Sequence, residues 1–541
     1  MTAPLRADEA TLATGPTNGT GIAVSPHFLA SLAGIDILHA GGNAVDAAIA
    51  VNAVLGVVLP DTCGPGGDLF ALVHRPGDTA PVALNASGRG GSGVTANDMR
   101  DAGFGAIPPR SPWSITVPGC VDGWEALVDS HGTLPLGRLL ERAIDLARTG
   151  FPVSAELARS LSTLEDVISS QGSAPPLYPG GTSRQVGKTI TRARLADTLE
   201  AIAQGGRAAF YEGSVGAEIT EATNGAVTSD DLARTQADWI TPLGATIFGK
   251  TAWTIPPNSQ GYLTLACLRS FEMLDPPDDP NDPLYQHLLI EAYRSVAWER
   301  EDTAVDPAFD TAFDTGHAPI TGTELLAEDR LAERAESIDR DRVGRWPAPR
   351  PAPGGTAYMT VWDNSGMGVS LIQSNFHGIG SGLSAGATGV FLHNRGAGFN
   401  LIPGHVNEYA PGKRPLHTLS PMLWTAGTDL DLLLGTRGGD QQPQLLAQYS
   451  ASVYHAGNCT DDSQLLPRWM MDQPLAGTDS VVRFESRVAP STVRGLEDRG
   501  HTVTLGESHE PGWGPIAAID TFRELKGSAD PRISTSAALT T

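Results

Sequence analysis

Prolines at positions 347, 349, 351 and 353 alternate with other residues between Gly344 and Gly355, and this segment runs directly into Thr356. Proline has no backbone N–H and its ring fixes φ, so such a run enters neither a helix nor the middle of a sheet. It reads as an extended linker. The texture then changes. Thr356 to Trp362 has strand character, Asp363-Asn364-Ser365-Gly366 has the composition of a hairpin turn, and Gly368 to Gln373 reads as the returning strand. A linker that delivers the chain to a threonine at the head of a strand admits two readings. It is an ordinary joint between two folded regions, or it is a site of autoproteolysis. In the second reading the Thr356 hydroxyl attacks the Gly355 carbonyl, the peptide bond breaks and Thr356 becomes a new N-terminus. Its α-amine, with an ordinary pKa of about 7.7–8.0, then serves as general base for its own hydroxyl. The small Gly355 leaves the scissile carbonyl open to attack.

Elsewhere the periodicity places several elements. Asn43 has the side chain of an N-cap for the alanine-rich run Ala44–Val51, which ends near Pro60 and is apolar on most faces, as a helix between two layers would be. A glycine-rich turn, Cys63 to Asp68, precedes a short apolar strand, Leu69–His74. Pro135–Arg148 carries Leu136, Leu139, Leu140, Ala143, Ile144 and Ala147 on one helical stripe, with Thr133 as its expected cap and Gly150 and Pro152 as its stop. Residues 190–345 look more helical and more charged, with one helix over Leu284–Glu301. Leu430–Leu434 reads as a strand and Pro443–His455 as a helix.

Composition excludes several function classes. The 541 residues include 37 Lys and Arg against 61 Asp and Glu, a formal charge of −24, which repels phosphate backbones and anionic lipid; neither nucleic acid nor a membrane is an expected partner. Hydrophobic residues at 40% supply a sizeable core. The 62 Gly and 40 Pro favour many tight turns. Cys63, Cys120, Cys267 and Cys459 are too scattered for a zinc ribbon, a redox dithiol or a disulfide framework. The first residues lack a basic stretch followed by an apolar one, and no apolar run reaches ~18 residues, so a cytoplasmic protein is expected.

Common catalytic motifs are missing. Gly88-Arg89-Gly90-Gly91-Ser92-Gly93 fits G-x-G-x-x-G, but no helix is expected to open at Gly93 and offer its dipole to a pyrophosphate. There is no P-loop, no H-E-x-x-H among the 13 scattered His, and no G-x-S-x-G.

An ordered series of segments does carry a resemblance. Gly41-Gly42-Asn43-Ala44-Val45-Asp46-Ala47-Ala48, Gly64-Pro65-Gly66-Gly67, Val117-Pro118-Gly119 with Gly123-Trp124, and Pro256-Pro257-Asn258-Ser259-Gln260-Gly261 come before the linker. Gly380-Ser381-Gly382, Lys413-Arg414-Pro415-Leu416, Ser420-Pro421, Gly438-Gly439 and Asp530-Pro531 follow it. Over nearly its whole length the chain resembles the γ-glutamyltransferase family of N-terminal-nucleophile hydrolases. The resemblance implies cleavage between Gly355 and Thr356, with Thr356 as nucleophile, Ser374 as the hydroxyl that hydrogen-bonds it, and the backbone N–H groups of Gly438 and Gly439 as the oxyanion hole. A substrate carboxylate would be held by Arg89. No cofactor and no metal are implied.

The departures concern the donor's α-ammonium. Family members that use γ-glutamyl donors hold it with an Asn, a Gln or Glu, and an Asp. Here the Asn position is Phe376 or, shifted by one, Asn375. The Gln position is Arg395 and the acidic position is Gly398. The paired serines after Lys413-Arg414-Pro415-Leu416 become His417-Thr418, and the residue after the nucleophile is Ala357. An ammonium beside Arg395 would be repelled. The pattern looks closer to amidohydrolase members such as oxamate amidohydrolase, and Arg89 and Arg395 suggest an acyl group with a carboxylate and no amine. Asn375, Arg395, His417 and Thr418 are accordingly candidate substrate-binding residues. The expected partners are a small amide substrate and water or an amine acceptor. A true γ-glutamyltransferase, or glutathione hydrolase, and an unprocessed non-catalytic homologue are the alternatives. The expected fold is α+β, a four-layer αββα sandwich built jointly by a large fragment, residues 1–355, and a small one, residues 356–541.

Overall fold

Two antiparallel sheets stack face to face in the computed structural model, which describes residues 21–178, 186–309, 321–346, 355–471 and 480–541. Most of the proline-rich linker, at 347–354, and the polar start of the chain lie outside the described residues. The first sheet has the strand order Ala537–Thr540, Gly21–Ser25, Gly355–Asp363, Gly368–Phe376, Asp68–His74, Val82–Ala86, Asp238–Ile240. The second has the order Lys526–Ala529, Ile516–Asp520, Asp429–Thr436, Met422–Ala426, Lys250–Thr254, Leu243–Ile247.

The layers follow from the period-two alternation of strand side chains. Along Gly355–Asp363, Ala357, Met359 and Val361 belong to one core, which the helices Ala44–Val58, Leu136–Thr149 and Ala193–Tyr211 cover. Tyr358 points the other way, into an inner core with Phe70, Leu72 and Ile372 of the same sheet and Leu423, Leu433 and Ile519 of the second. Met422, Trp424, Leu432 and Leu434 fill a third core beneath the helices Tyr262–Met273, Pro283–Ala297 and Gln442–Tyr454. Three cores between four layers make the αββα sandwich. The sheets approach closely where Gly435 faces Tyr358: a Cβ at 435 would lie 2.1 Å from the Tyr358 ring.

The Ala44–Val58 helix is buried along its whole length and is capped by Asn43, whose Oδ1 accepts the N–H groups of Val45 and Asp46. Asp363, the last residue of the Thr356 strand, accepts the Ala44 N–H at 2.8 Å and ties that strand to the helix. Three expectations change. Thr133 does not cap the next helix, Leu136–Thr149, which begins after Pro135; its hydroxyl and N–H donate to Asp46 instead. The helix expected over Leu284–Glu301 is Pro283–Ala297 followed by a separate turn, Arg300–Thr303, because Glu299 leaves the helix where Arg330 and Arg334 bind its carboxylate. The stretch expected to be more helical also supplies the strands Asp238–Ile240, Leu243–Ile247 and Lys250–Thr254, which at three, five and five residues are too short to show a clear alternation.

Candidate active site

The strands Gly355–Asp363 and Gly368–Phe376 pair in regular register down to Gln373 opposite Ala357, and the next pair is Phe376 opposite Gly355. Ser374 and Asn375 together therefore face the single residue Thr356, a β-bulge that re-aims the Ser374 side chain. Its hydroxyl donates to the Gly355 carbonyl oxygen at 2.5 Å and accepts the Phe376 N–H at 2.7 Å. The Thr356 hydroxyl donates to the same Ser374 oxygen at 3.3 Å. Thr356, the Ser374 hydroxyl and the Gly355 carbonyl are thus joined by hydrogen bonds, with Thr356 only 2% exposed. Phe376 pays for the bulge with φ at +74°, a strained value for a side chain of its size.

Gly438 and Gly439 form a tight turn between the strand Asp429–Thr436 and the helix Gln442–Tyr454, with φ of +139° and +57°. Among the described residues no acceptor takes the N–H of either glycine, which leaves two backbone donors available at this turn. The turn is held from the side by Gln260, whose Nε2 donates to the carbonyls of Gly439 and Thr418. Asn258 and Ser259 bond to the carbonyls of Pro415 and Leu419, so the segment 256–261 stitches the 415–419 loop to the glycine turn.

Gly355 and Gly438 open on one cleft of about 550 Å³. Thr356 and Arg437 line a small recess that adjoins it. The cleft wall also carries Arg110, Arg159, Arg437, Asp61, Glu156 and His377, none of them marked by the sequence reading. They come from five separate segments, and only two stood beside a recognisable signal: Arg437 next to the Gly438-Gly439 pair and Asp61 just before the glycine-rich turn. Arg437 forms an ion pair with Glu156. Asp61 is 6% exposed and its Oδ1 has no hydrogen-bond partner among the described residues. Burial and the neighbouring Glu156 push its carboxyl up to about 6, against the pull of the Ser160 hydroxyl and Arg437. Burial, with Arg395 and Arg110 nearby, pushes the His377 imidazole down to about 3, so it is neutral at physiological pH.

The other sequence-derived candidates are placed differently. Arg89 is not brought to the cleft: its guanidinium lies 2.7 Å from Asp238, a carboxylate it shares with Arg414. Asn375 is buried and serves the loop behind it, its N–H donating to the Thr62 carbonyl and its Nδ2 to that of Pro60. His417 is fully buried; Nδ1 accepts the Leu419 N–H, so Nε2 carries the proton it donates to Asp68 at 3.0 Å. Burial and Arg395 hold that imidazole at about 3. Thr418 is buried and accepts from Arg395 Nη1 at 3.1 Å.

Arg395 is fully buried as well. Its guanidinium stacks 3.7 Å over the Phe376 ring, while His377, on the cleft wall, stacks on that ring at the same separation. Nε and Nη2 have no hydrogen-bond partner among the described residues. Burial pulls its pKa down to about 9, with the carboxylates of Asp68 and Asp440 opposing at longer range. Arg395 therefore sits behind Phe376 and does not line the cleft. Gly398 has no room for the acidic side chain of γ-glutamyl-specific members, since a Cβ there would lie 2.6 Å from the Leu416 carbonyl oxygen.

Comparison with known proteins agrees with this architecture. A sequence profile described as Gamma-glutamyltranspeptidase matches residues 30–540. The glutathione hydrolase-like YwrD proenzyme of Bacillus subtilis is 38% identical over 94% of this chain and 96% of its own. The oxamate amidohydrolase proenzyme of Klebsiella pneumoniae is 34% identical over 96% of this chain and 98% of its own. Among solved structures, cephalosporin acylase from Bacillus halodurans superposes with a TM-score of 0.89 at 29% identity, over 100% of this chain and 98% of its own.

Proposed function

The chain belongs to the gamma-glutamyltranspeptidase family, and from that premise we propose that it is an autoprocessed amidohydrolase that cleaves amides of a small carboxylate-bearing acyl group through an acyl-enzyme on Thr356. The observation that carries the reading is the hydrogen-bonded set Thr356–Ser374–Gly355. In maturation the Thr356 Oγ1 attacks the Gly355 carbonyl carbon while Ser374 donates to the oxygen that becomes negative. The C–N bond breaks, the nitrogen takes a proton, and water hydrolyses the resulting ester. Fragments 1–355 and 356–541 stay together because each of the two sheets contains strands from both sides of the cleavage, hydrogen-bonded to one another.

In the mature enzyme the Thr356 α-amine accepts the proton from its own hydroxyl, and Oγ1 attacks the substrate carbonyl. The Gly438 and Gly439 N–H groups receive the oxyanion, a contribution of about 2.7–4 kcal/mol per donor. The protonated amine then gives its proton to the departing nitrogen, and water attacks the acyl-enzyme with the amine again as base. An acyl group with a carboxylate and no ammonium is supported by the blocked acidic position at Gly398 and by arginines, rather than unpaired acids alone, on the cleft wall. Steady-state turnover of oxamate, succinamate and a glutaryl anilide, compared with γ-glutamyl-p-nitroanilide, tests the reading. Robust turnover of the γ-glutamyl substrate alone would sink it in favour of a true γ-glutamyltransferase.

A further inference from the structure

The cleft beside Gly355 carries charge that the nucleophile and the glycine turn do not use. Arg437 is neutralised by Glu156. Arg110 and Arg159 are exposed and have no carboxylate partner among the described residues; Arg110 is oriented by a hydrogen bond to the Gly380 carbonyl. Gly378 and Gly382 flank that guanidinium, so side chains do not crowd it. Two unpaired guanidinium groups in one cleft of a chain with formal charge −24 concentrate positive potential there. Their planar donor forks match a carboxylate. Among the described residues the wall's other carboxyl, without a cationic partner, is Asp61, buried on a loop pinned by Asn375, with the carbonyls of Pro60 and Thr62 both accepting from that residue.

Maturation identifies which half of a substrate this cleft surrounds. The ester formed on Thr356 Oγ1 has Gly355 as its acyl group, and a substrate acyl group later occupies the same bond. The walls around Gly355 are therefore walls of the acyl subsite. We propose that Arg110 and Arg159 are the specificity-determining residues of that subsite and bind the free carboxylate of a dicarboxylic acid half-amide. Arg89, held by Asp238, and Arg395, sealed behind Phe376, are not its receptors. The inference rests on Thr356 being the nucleophile, and it deepens the proposed function by naming what selects the acyl group.

Two measurements test it. The first is the kcat/KM of the processed enzyme for glutaryl-p-nitroanilide divided by that for its methyl ester. Arg110→Gln and Arg159→Gln should each lower this ratio about tenfold, the lower end for a hydrogen bond to a charged group at a solvent-facing site, and Arg110→Lys should restore part of it. Arg395→Gln should move the ratio less than about threefold. The second is calorimetric binding of glutarate, which needs no turnover; each Gln substitution in the cleft should weaken it about tenfold. Glutarate binding that depends on Arg110 and Arg159, without hydrolysis of any amide, would overturn the proposed function and leave this subsite standing. Hydrolysis with an acid-to-ester ratio unchanged in both cleft variants, or changed only by Arg395→Gln, would overturn the subsite and leave the amidohydrolase standing. Absence of both glutarate binding and acid preference in the unsubstituted protein would also overturn it.

Discussion

The Ser374 hydroxyl lies 2.5 Å from the carbonyl oxygen of Gly355, and it is there because two residues of its strand face one residue of the partner strand. The same hydroxyl accepts from Thr356, so in the proposed maturation one side chain serves both the attacking and the attacked group. Thr356→Ala should abolish maturation and catalysis together, while Thr356→Ser, which keeps a hydroxyl, should still mature. Ser374→Ala should slow maturation by about 10²–10³, the usual cost of losing one donor to a developing oxyanion. Denaturing gels over time, with N-terminal sequencing of the small fragment, provide the readout. A Thr356→Ala protein that still yields two fragments removes Thr356 from this role.

Activity should rise with pH as the Thr356 α-amine loses its proton, with an apparent pKa near or below about 8. Burial of Thr356 disfavours the ammonium form, Arg437 and Glu156 largely offset each other as an ion pair, and Asp61 on the cleft wall acts in the opposite direction. A pH–rate profile measured where chemistry limits turnover checks it; a flat profile contradicts the amine as base.

Asp61 should make stability depend on pH in the direction opposite to most carboxylates. Its folded pKa, about 6, lies above the ordinary 3.8, so between these values the folded chain holds the proton more often than the unfolded chain does. Its contribution is most favourable below about pH 4 and is lost as pH rises through 6, a difference on the order of 3 kcal/mol. Asp61→Asn should therefore raise Tm relative to the unsubstituted protein at pH 7.5 and lose that advantage near pH 4. Thermal melts at the two pH values decide it, and an equal offset at both would show that burial is not what raises this carboxyl.

Arg395 buries a guanidinium with two unpartnered nitrogens, an arrangement that costs stability. Arg395→Met, of similar reach and apolar, should stabilise the chain by about 1–4 kcal/mol in denaturant titration at neutral pH. A clear loss of stability would mean that the Thr418 hydrogen bond and the Phe376 stack outweigh the desolvated charge.

Restoring the acidic residue of γ-glutamyl-specific members by Gly398→Asp should fail on steric grounds. A Cβ at 2.6 Å from the Leu416 carbonyl forces the backbone to move, at about 1–3 kcal/mol. Thermal melts should show the loss, and Arg395→Gln with Gly398→Asp should not gain turnover of γ-glutamyl-p-nitroanilide. A gain in that turnover would show that the 416 loop yields easily.

Much was legible in the residues themselves. The strand expected from Thr356 onward is observed as Gly355–Asp363, because its β-branched and aromatic residues alternate with period two. Asn43 as cap, the buried alanine-rich helix and the Thr356 hairpin follow from local hydrogen bonding and periodicity, which need no distant partner. Candidates marked by chemistry alone fared differently. An arginine in a glycine-rich loop is equally suited to a substrate carboxylate and to Asp238, and only the fold, which sets Asp238–Ile240 beside Val82–Ala86, selects the latter. The tertiary structure also decided that Ser374 meets Gly355, through a one-residue slip invisible to a pattern of period two. It alone gathered Asp61, Arg110, Glu156, Arg159 and Arg437 around one cleft. These residues come from distant parts of the chain and share no spacing, since their proximity is fixed by how layers stack and loops close over them, and neither leaves a periodic mark on the sequence.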